Sequence, residues 1–262
     1  MKAALLTTAG IDNLAVTDVD APVPGPKQVK VKLNAASLNY RDLVTVNGGY
    51  GSKQKQGGLI PLSDGAGEVV EIGPGVTRYK IGDRVTPHFF PNWTDGAPSA
   101  DSFALSLGGS VQGCAAEFGV FEEHALLPTP DCLTDAEAAA TVCAGLTAWS
   151  AVVEQGNIRP GSTVLTQGTG GVSVFAIQFA RMMGAEVIAT TSSAGKAEKL
   201  KELGAAHVIN YREDENWGKT AKALTGGRGV DLVVEVGGAG TLGQSFRAIG
   251  GGATIAMIGV LA

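Results

Sequence analysis

The sequence predicts an α/β fold in which a β-rich first half precedes a doubly wound parallel sheet. Three observations support this prediction. Residues 1–130 contain short strands separated by Gly and Pro turns, which is typical of a small barrel-like domain. From residue 163 onward, strands alternate with helices until five strands are complete. The first of these strands runs through glycines straight into a helix, the order found in phosphate-binding elements.

The composition fits a compact, well-buried globular protein. Of 262 residues, 38 are glycine and only 17% are charged, which disfavours a disordered chain or a coiled coil. The net charge of −5 argues against nucleic acid as the main partner. The three cysteines include no C-x-x-C pair, so we expect a reducing compartment and no disulfide framework. Because no signal peptide and no apolar run of membrane-spanning length is evident, we expect a cytoplasmic protein without a membrane partner.

The first half contains recognisable strands. Residues 29–33 alternate between Val or Leu on one face and Lys on the other. Residues 67–72 form a second strand that ends at Gly-Pro-Gly, and residues 81–85 form a third with a turn at its Gly-Asp. Residues 91–113 show no sustained period, and we interpret them as a long loop, either functional or a simple surface insertion.

A helix follows the β-rich region. Thr134 and Glu137 have the spacing of a capping box, and Ala-rich helical sequence continues to about residue 155, either unbroken or broken near Gly145. We therefore divide the chain into a first domain of residues 1–130 and a second domain of residues 131–262.

The second domain alternates between the two kinds of element. The predicted strands cover residues 163–167, 186–190, 207–210, 231–235 and 253–258. The predicted helices between them cover residues 172–183, 196–203, 216–224 and 241–249. Parallel strands joined by helices require right-handed crossovers, which gives a doubly wound sheet.

The glycine motif lies on the first strand of this series, where a dinucleotide site requires it. Its sequence is Gly-Thr-Gly-Gly-Val-Ser, so Ser173 stands at the third glycine of the usual fingerprint, where a small residue allows close packing of helix on strand. The alternative is a glycine turn that only packs a helix, but the βαβ context favours a dinucleotide site. The candidate cofactor contacts here are Gly168, Thr169, Gly170, Gly171 and Val172.

The end of the second strand indicates which dinucleotide binds. An NAD site usually carries Asp or Glu there, about 20 residues beyond the first glycine, whereas this chain has hydroxyl side chains followed by a lysine. Hydroxyls and an ammonium would donate hydrogen bonds to a 2′-phosphate, whereas a carboxylate would repel it. We therefore expect NADP (NADPH) rather than NAD. Alternatively, the lysine only begins a charged helix face. The residues of this predicted pocket are Thr191, Ser192, Ser193, Lys196 and Tyr211.

The whole chain resembles the medium-chain dehydrogenase/reductase superfamily. The resemblance rests on the Asn-Tyr-Arg-Asp run at residues 39–42, on the segments 65–70, 82–85 and 144–148, and on the second half of the chain. It implies a GroES-like β-barrel domain followed by a Rossmann domain, and it is strongest to zinc-independent quinone-oxidoreductase-like and alcohol-dehydrogenase-like members. Family members continue for several tens of residues past the fifth strand. We therefore expect a truncated chain with an incomplete sheet and an open edge at residues 253–260, whereas the intact protein would be a homodimer.

The resemblance also implies that zinc is absent. Where zinc-dependent members place Cys, His and Cys around a catalytic metal, this chain has Asn39, Ser63 and Cys143. One thiolate does not hold zinc in a three-ligand catalytic site. A structural zinc lobe needs four cysteines, but residues 88–114 contain only Cys114.

Without a metal, hydrogen-bond donors or a positive charge must stabilise the substrate oxygen. The candidates are Tyr40, Arg41 and Tyr50, and packing is the alternative role of each tyrosine. The resemblance places Asn39 and Thr147 at the nicotinamide end of the cofactor. We expect an NADPH-dependent reductase of a quinone or α,β-unsaturated carbonyl, because that reaction requires no alkoxide. An alcohol dehydrogenase without zinc and a non-catalytic dinucleotide-binding relative are the alternatives.

Overall fold

The computed structural model describes residues 1–259, apart from the side chain of Ser52. It divides into two compact units, Met1–Cys143 and a second unit that begins at Ala144. Each unit has its own sheet and its own buried apolar clusters.

The first unit is built on antiparallel strands. They are β1 (Lys2–Leu6), β2 (Leu14–Asp18), β3 (Gln28–Ser37), β4 (Asp64–Ile72), β5 (Arg84–Pro87), β6 (Phe118–Glu122) and β7 (Leu126–Pro128). Five of them form a sheet in the order β6–β3–β4–β5–β7, and β1 pairs with β2 in a separate hairpin. The predicted alternation in β3 is confirmed, because Val29 and Val31 are fully buried while Lys32 is exposed.

Several strand bounds in this unit differ from the prediction. The strand expected at residues 81–85 begins only at Arg84, because Gly82 adopts a left-handed φ of 93° and turns the chain before it. The hairpin of β1 and β2 was not predicted. The reason is visible in β2, where Val16 is 73% exposed and no buried face produces an alternating pattern.

Short helical elements connect these strands. Helix α1 (Tyr40–Val46) follows β3, and a 3₁₀ turn at Gly51–Lys53 comes after it. The stretch predicted as a loop, 91–113, contains a 3₁₀ turn at Asp101–Phe103 and an isolated bridge between Leu107 and Val111.

The predicted capping box begins the long helical segment Asp135–Gln155. Thr134 Oγ1 accepts a hydrogen bond from Glu137 N at 3.2 Å, and the Glu137 carboxylate accepts one from Thr134 N at 2.8 Å. These two hydrogen bonds satisfy N–H groups that a helix N-terminus otherwise leaves without partners, so the capping box is confirmed.

The helical segment is not broken at Gly145, but regular α-helix is interrupted there. The segment begins with the short α-helix α2 (Asp135–Ala140), which widens into a π-helical turn at Thr141–Gly145. A second short α-helix, α3 (Leu146–Trp149), follows, and a second π-helical turn at Ser150–Gln155 ends the segment. Contrary to the expectation from sequence, the whole segment is long and apolar enough to cross a membrane. Length and composition do not distinguish such a helix from the core helix of a soluble protein.

The second unit contains a parallel sheet flanked by helices, as predicted. Its strands are β8 (Thr163–Gln167), β9 (Glu186–Thr191), β10 (His207–Asn210), β11 (Val230–Glu235) and β12 (Ile249–Met257). Its helices are α4 (Gly171–Met182), α5 (Ala194–Leu203), α6 (Trp217–Leu224) and α7 (Leu242–Ala248). The sheet order is β10–β9–β8–β11–β12, with every pair parallel.

This order contains a reversal beside β8. The chain adds β9 and β10 on one side of β8 and then crosses to add β11 and β12 on the other. In doubly wound sheets, ligands bind outside the carboxyl ends of the strands at such a reversal. The carboxyl ends of β8 and β11 are therefore the expected place for a ligand.

The last strand begins earlier than the sequence indicated. It starts at Ile249, directly after α7, rather than at residue 253. Three consecutive glycines, 250–252, have weak strand propensity, which hid this part of β12 from the pattern. Within residues 1–259, β12 pairs only with β11. The predicted open edge extended to Val260, which lies outside the described residues.

Candidate functional site

The glycine turn after β8 exposes backbone to a ligand. Gly168 has a left-handed φ of 71°, and its N–H donates to the Thr190 carbonyl at 2.9 Å, which anchors the turn to β9. A Cβ added at Gly168 or Gly170 would meet no described atom within 4 Å, so this backbone is uncovered. Gly170 is the N-cap of α4, whose first N–H groups lack partners within the helix. The turn therefore fits the pyrophosphate of a dinucleotide.

The other motif residues have distinct roles. A Cβ at Gly171 would lie 3.1 Å from the Cβ of Ala144, so this glycine permits close packing of the helix. Thr169 and Val172 are partly exposed beside the turn. Ser173 is buried, and its hydroxyl donates to the Gln167 carbonyl at 2.6 Å. Serine thus adds a hydrogen bond at a position where the fingerprint expects only a small residue.

The predicted 2′-phosphate pocket gathers at the carboxyl ends of β9 and β10. The N–H of Tyr211 donates to the Thr191 carbonyl at 3.0 Å, which joins the two strand ends. Ser192 and Ser193 follow Thr191 directly and are partly exposed, and Lys196 lies exposed in the first turn of α5. That first turn contains no acidic residue. All five predicted residues therefore lie at the carboxyl ends of β9 and β10 or at the start of α5.

The three predicted catalytic side chains differ in exposure. Tyr40 is 53% exposed and Tyr50 is 42% exposed, and neither phenol hydroxyl has a hydrogen-bond partner among the side chains and backbone that the structure describes, which exclude the Ser52 side chain. Both phenols can therefore donate to a substrate. The Arg41 side chain is only 12% exposed, which makes it the least accessible of the three.

Arg41 is held inside the first unit. Its Nη1 donates to the Asp42 carboxylate at 3.3 Å and to the Leu107 carbonyl at 3.1 Å. Its guanidinium also lies over the rings of Tyr50 and Phe89, 5.4 Å and 4.9 Å from their centroids. These contacts fix the backbone near residue 107 and place Tyr50.

Two buried carboxyls lie beside these residues. The Asp42 carboxylate accepts a hydrogen bond from Asn39 N at 2.8 Å. Ser63 Oγ donates to Asp64 at 2.6 Å, and Cys143 N donates to the same carboxylate at 3.0 Å. Burial raises the pKa of both Asp42 and Asp64 above the ordinary value, although their hydrogen bonds oppose it.

The residues at the catalytic zinc positions do not fit that metal. The Ser63 hydroxyl is directed to Asp64, and Asn39 offers no anionic donor. Among the described residues, no three His, Cys, Asp or Glu side chains gather where they could hold a metal ion. Thr147, predicted at the nicotinamide end of the cofactor, is partly exposed on α3 in the second unit.

A buried polar cluster that the sequence pattern does not predict lies at the end of β11. The Oε1 atom of Glu235 accepts hydrogen bonds from Gly237 N and Gly238 N, both at 2.9 Å, and from Thr241 Oγ1 at 2.5 Å. Its Oε2 accepts one from Ser245 Oγ. Burial alone would raise the pKa of Glu235, but these hydrogen bonds outweigh it and hold the pKa below its ordinary value.

Gln167, the last residue of β8, completes this cluster. Its Nε2 donates to Glu235 Oε2 at 2.8 Å and to Ser245 Oγ at 2.9 Å. Its Oε1 accepts from Val236 N and Gly237 N, both at 3.2 Å. We call this pair the Gln167–Glu235 clasp. A signal was present in the sequence, since each residue is a polar side chain between an apolar strand and a glycine turn.

Comparison with known proteins agrees with this geometry. Residues 25–131 match the family model described as an alcohol dehydrogenase GroES-like domain, and residues 171–262 match the model described as a zinc-binding dehydrogenase. A zinc-type alcohol dehydrogenase-like protein of Schizosaccharomyces pombe is 41% identical over 257 residues, covering 97% of this chain and 74% of that protein.

Two solved structures are also similar. An NAD-dependent alcohol dehydrogenase superimposes with a TM-score of 0.90 at 37% identity, covering 99% of this chain and 78% of that one. The Escherichia coli quinone oxidoreductase complexed with NADPH superimposes with a TM-score of 0.83 at 25% identity, covering 99% of this chain and 73% of that one. The chain thus spans about three quarters of the length of these proteins.

Proposed function

Because this chain belongs to the medium-chain dehydrogenase/reductase superfamily and is an NAD(P)H-dependent oxidoreductase, we propose that it is a zinc-independent, NADPH-dependent reductase of quinones or α,β-unsaturated carbonyls. When bound, the cofactor supplies the hydride. The residues of the chain bind the dinucleotide, orient the acceptor and stabilise the charge that develops on its oxygen.

The preference for NADPH is carried by one observation, the chemistry at the carboxyl ends of β9 and β10. Ser192, Ser193 and Lys196 offer two hydroxyls and an ammonium beside the start of α5, with no acid in its first turn. A 2′-phosphate finds donors and a positive charge there, whereas the 2′-hydroxyl of NAD lacks the carboxylate that usually accepts its hydrogen bond.

The acceptor preference follows from the donors of the first unit. The exposed phenols of Tyr40 and Tyr50 can donate to an acceptor oxygen as it becomes negative. Hydride addition to an enone produces an enolate, and hydride addition to a quinone produces a hydroquinone anion. A phenol can stabilise the negative oxygen of either product by donating a hydrogen bond to it. Oxidation of an alcohol would require an alkoxide, and the residues at the zinc positions provide no Lewis acid to form it.

A fluorescence titration and a substrate panel test the proposal. We expect NADPH to quench or enhance protein fluorescence at lower concentration than NADH. NADPH oxidation should then proceed with quinones or enones and be slower with aldehydes. Equal affinity for the two dinucleotides would refute the cofactor assignment, and stoichiometric zinc in the purified protein would refute the metal-free site.

An alcohol dehydrogenase is the second candidate, favoured by the similarity to the zinc-type alcohol dehydrogenase-like protein and to the NAD-dependent alcohol dehydrogenase. Alcohol oxidation with NAD or NADP, in the absence of quinone or enone turnover, would support it. Dinucleotide binding without turnover of any substrate would favour a non-catalytic relative.

A further inference from the structure

The Gln167–Glu235 clasp lies where the sheet reverses. Val234 of β11 lies opposite Thr166 of β8, so the next residues along the two strands are Glu235 and Gln167. Both residues stand at the carboxyl ends of parallel strands. They lie where the sheet order reverses, because the chain adds β9 and β10 on one side of β8 and β11 and β12 on the other. Gln167 directly precedes the glycine turn, and Glu235 directly precedes the loop 236–241. The clasp therefore connects two segments that border the ligand crevice of a doubly wound sheet.

The clasp determines the conformation of this loop. Gln167 accepts hydrogen bonds from the N–H groups of residues 236 and 237, and Glu235 accepts hydrogen bonds from those of residues 237 and 238. Three consecutive N–H groups therefore bind to side chains beneath the loop. Thr241, at the far end of the loop, also donates to Glu235. Both ends of the loop are consequently tied to a carboxylate that is fully buried.

We propose that Gln167 and Glu235 are positioning residues for the dinucleotide, which fix the loop 236–241 relative to the glycine turn before the dinucleotide binds. This inference rests on the proposed function. The two side chains are buried beneath the loop and act through its backbone. A site that is already ordered loses less conformational entropy on binding, so a loosened loop lowers dinucleotide affinity as well as stability.

The donor and acceptor pattern of the clasp permits a sharp test. Glu235→Gln places an amide donor against the Gln167 Nε2 donor, and Gln167→Glu places one carboxylate against another. The double variant Gln167→Glu/Glu235→Gln exchanges the two roles, so that an amide again donates to a carboxylate. In the wild type, the Ser245 hydroxyl accepts a hydrogen bond from Gln167 and donates one to Glu235. In the double variant it can instead accept from the side chain at position 235 and donate to the side chain at position 167.

Asp231 provides a matched control at the opposite end of the same strands. Its carboxylate accepts from Thr163 N at 2.7 Å and pairs with Arg228 at 2.5 Å, so it also joins β11 to β8. The amino ends of the strands are not where ligands of such sheets bind. Asp231→Asn should therefore lower stability without lowering dinucleotide affinity.

The experiment is an NADPH fluorescence titration of each folded variant, with urea unfolding measured in parallel. Glu235→Gln should weaken NADPH binding on the order of tenfold, as expected for loss of hydrogen bonds to a charged group. The double variant should return to within about threefold of wild type, and Asp231→Asn should stay within about twofold. Hydrogen exchange of the N–H groups of residues 236–238 should be slow in wild type and fast in Glu235→Gln.

The outcomes separate this inference from the proposed function. A wild-type chain that binds neither NADPH nor NADH overturns the proposed function. Wild-type binding with unchanged affinity in Glu235→Gln, or an equal loss in Asp231→Asn, overturns the positioning role alone. So does a folded double variant that binds as weakly as Glu235→Gln. If Glu235→Gln does not fold, Thr241→Val, which removes one donor to the same carboxylate, should weaken NADPH binding severalfold, and unchanged affinity would overturn the role.

Discussion

The hydroxyl of Ser173 donates a 2.6 Å hydrogen bond to the backbone carbonyl of Gln167 and so joins the first turn of α4 to the end of β8. A glycine at this position would allow the same close approach but would form no such bond. The glycine turn between the two residues is therefore closed by a side chain as well as by backbone hydrogen bonds. The deviation from the usual fingerprint strengthens this turn.

We predict that Ser173→Ala lowers the free energy of unfolding by about 1–2 kcal/mol, because the buried Gln167 carbonyl loses a donor. NADPH affinity should fall only severalfold, since the backbone of Gly168 and Gly170 remains in place. Urea unfolding and a fluorescence titration measure both effects. Thr17→Ala, which removes an exposed hydroxyl, is the control and should change stability by less than about 0.5 kcal/mol. Equal stability of wild type and Ser173→Ala would contradict the assigned role.

Local patterns in the sequence predicted the fold better than the site. The second unit was predicted almost element by element, because its strands are short apolar runs between glycines. The exposed Val16 belongs to β2, a strand without a buried face, so no alternation revealed it. The clasp joins Gln167 to Glu235, which lie 68 residues apart, and no local period reports such a pairing. The same holds for Arg41, whose partner Leu107 is 66 residues away.

Lys196 should determine the preference between the two dinucleotides. It lies exposed in the first turn of α5, and its ammonium should attract a 2′-phosphate through a charge–charge interaction. We predict that Lys196→Ala weakens NADPH binding on the order of tenfold while leaving NADH binding within about twofold. The loss should shrink as salt concentration rises, because screening already weakens the wild-type interaction.

The neighbouring lysine of the same helix provides the control for this effect. Lys199 pairs with Glu202 at 2.8 Å, so its charge is already compensated within α5. Titrations of Lys199→Ala with both dinucleotides should match wild type. A Lys196→Ala variant that lost equal affinity for NADPH and NADH would show that the lysine does not read the 2′-phosphate.

Arg41 should stabilise the first unit more than a surface arginine would. Its guanidinium is almost buried, pairs with Asp42 and donates to the Leu107 carbonyl. Arg41→Met removes the charge partner of a buried carboxyl, so we expect a loss of about 3–5 kcal/mol in the free energy of unfolding. Arg41→Lys should recover part of this loss, because it keeps the charge but not the planar fork.

Urea unfolding of both Arg41 variants tests this role, and activity separates it from direct catalysis. If Arg41 acts only by placing Tyr50 and the backbone near residue 107, the folded Arg41→Lys variant should retain most of its kcat. A loss of kcat beyond about a hundredfold in a stable Arg41→Lys variant would instead indicate direct stabilisation of the substrate oxygen. Arg159→Met, which alters an exposed arginine of the second unit, is the control for stability.

Glu123 should make the stability of the first unit depend on acid pH. Its carboxylate accepts hydrogen bonds from Thr77 N at 2.8 Å and Arg78 N at 2.9 Å and pairs with Lys27 at 3.0 Å. The backbone hydrogen bonds from Thr77 and Arg78, with help from Lys27, lower the pKa of Glu123 from 4.5 to about 2. Because the folded pKa lies below the unfolded one, the resulting stability is fully present above pH 4.5 and is lost as pH falls toward 2.

Glu123→Gln should therefore be less stable than wild type at neutral pH, and the difference should shrink steadily below pH 4.5, the ordinary pKa of the carboxyl. Urea unfolding followed by circular dichroism at several pH values between 7 and about 3 measures this difference. Glu154→Gln, which neutralises an exposed carboxylate of the second unit, should follow the wild-type profile. A stability difference between wild type and Glu123→Gln that stayed constant down to the lowest pH would mean that the ionised Glu123 carboxylate does not hold the backbone of residues 77 and 78.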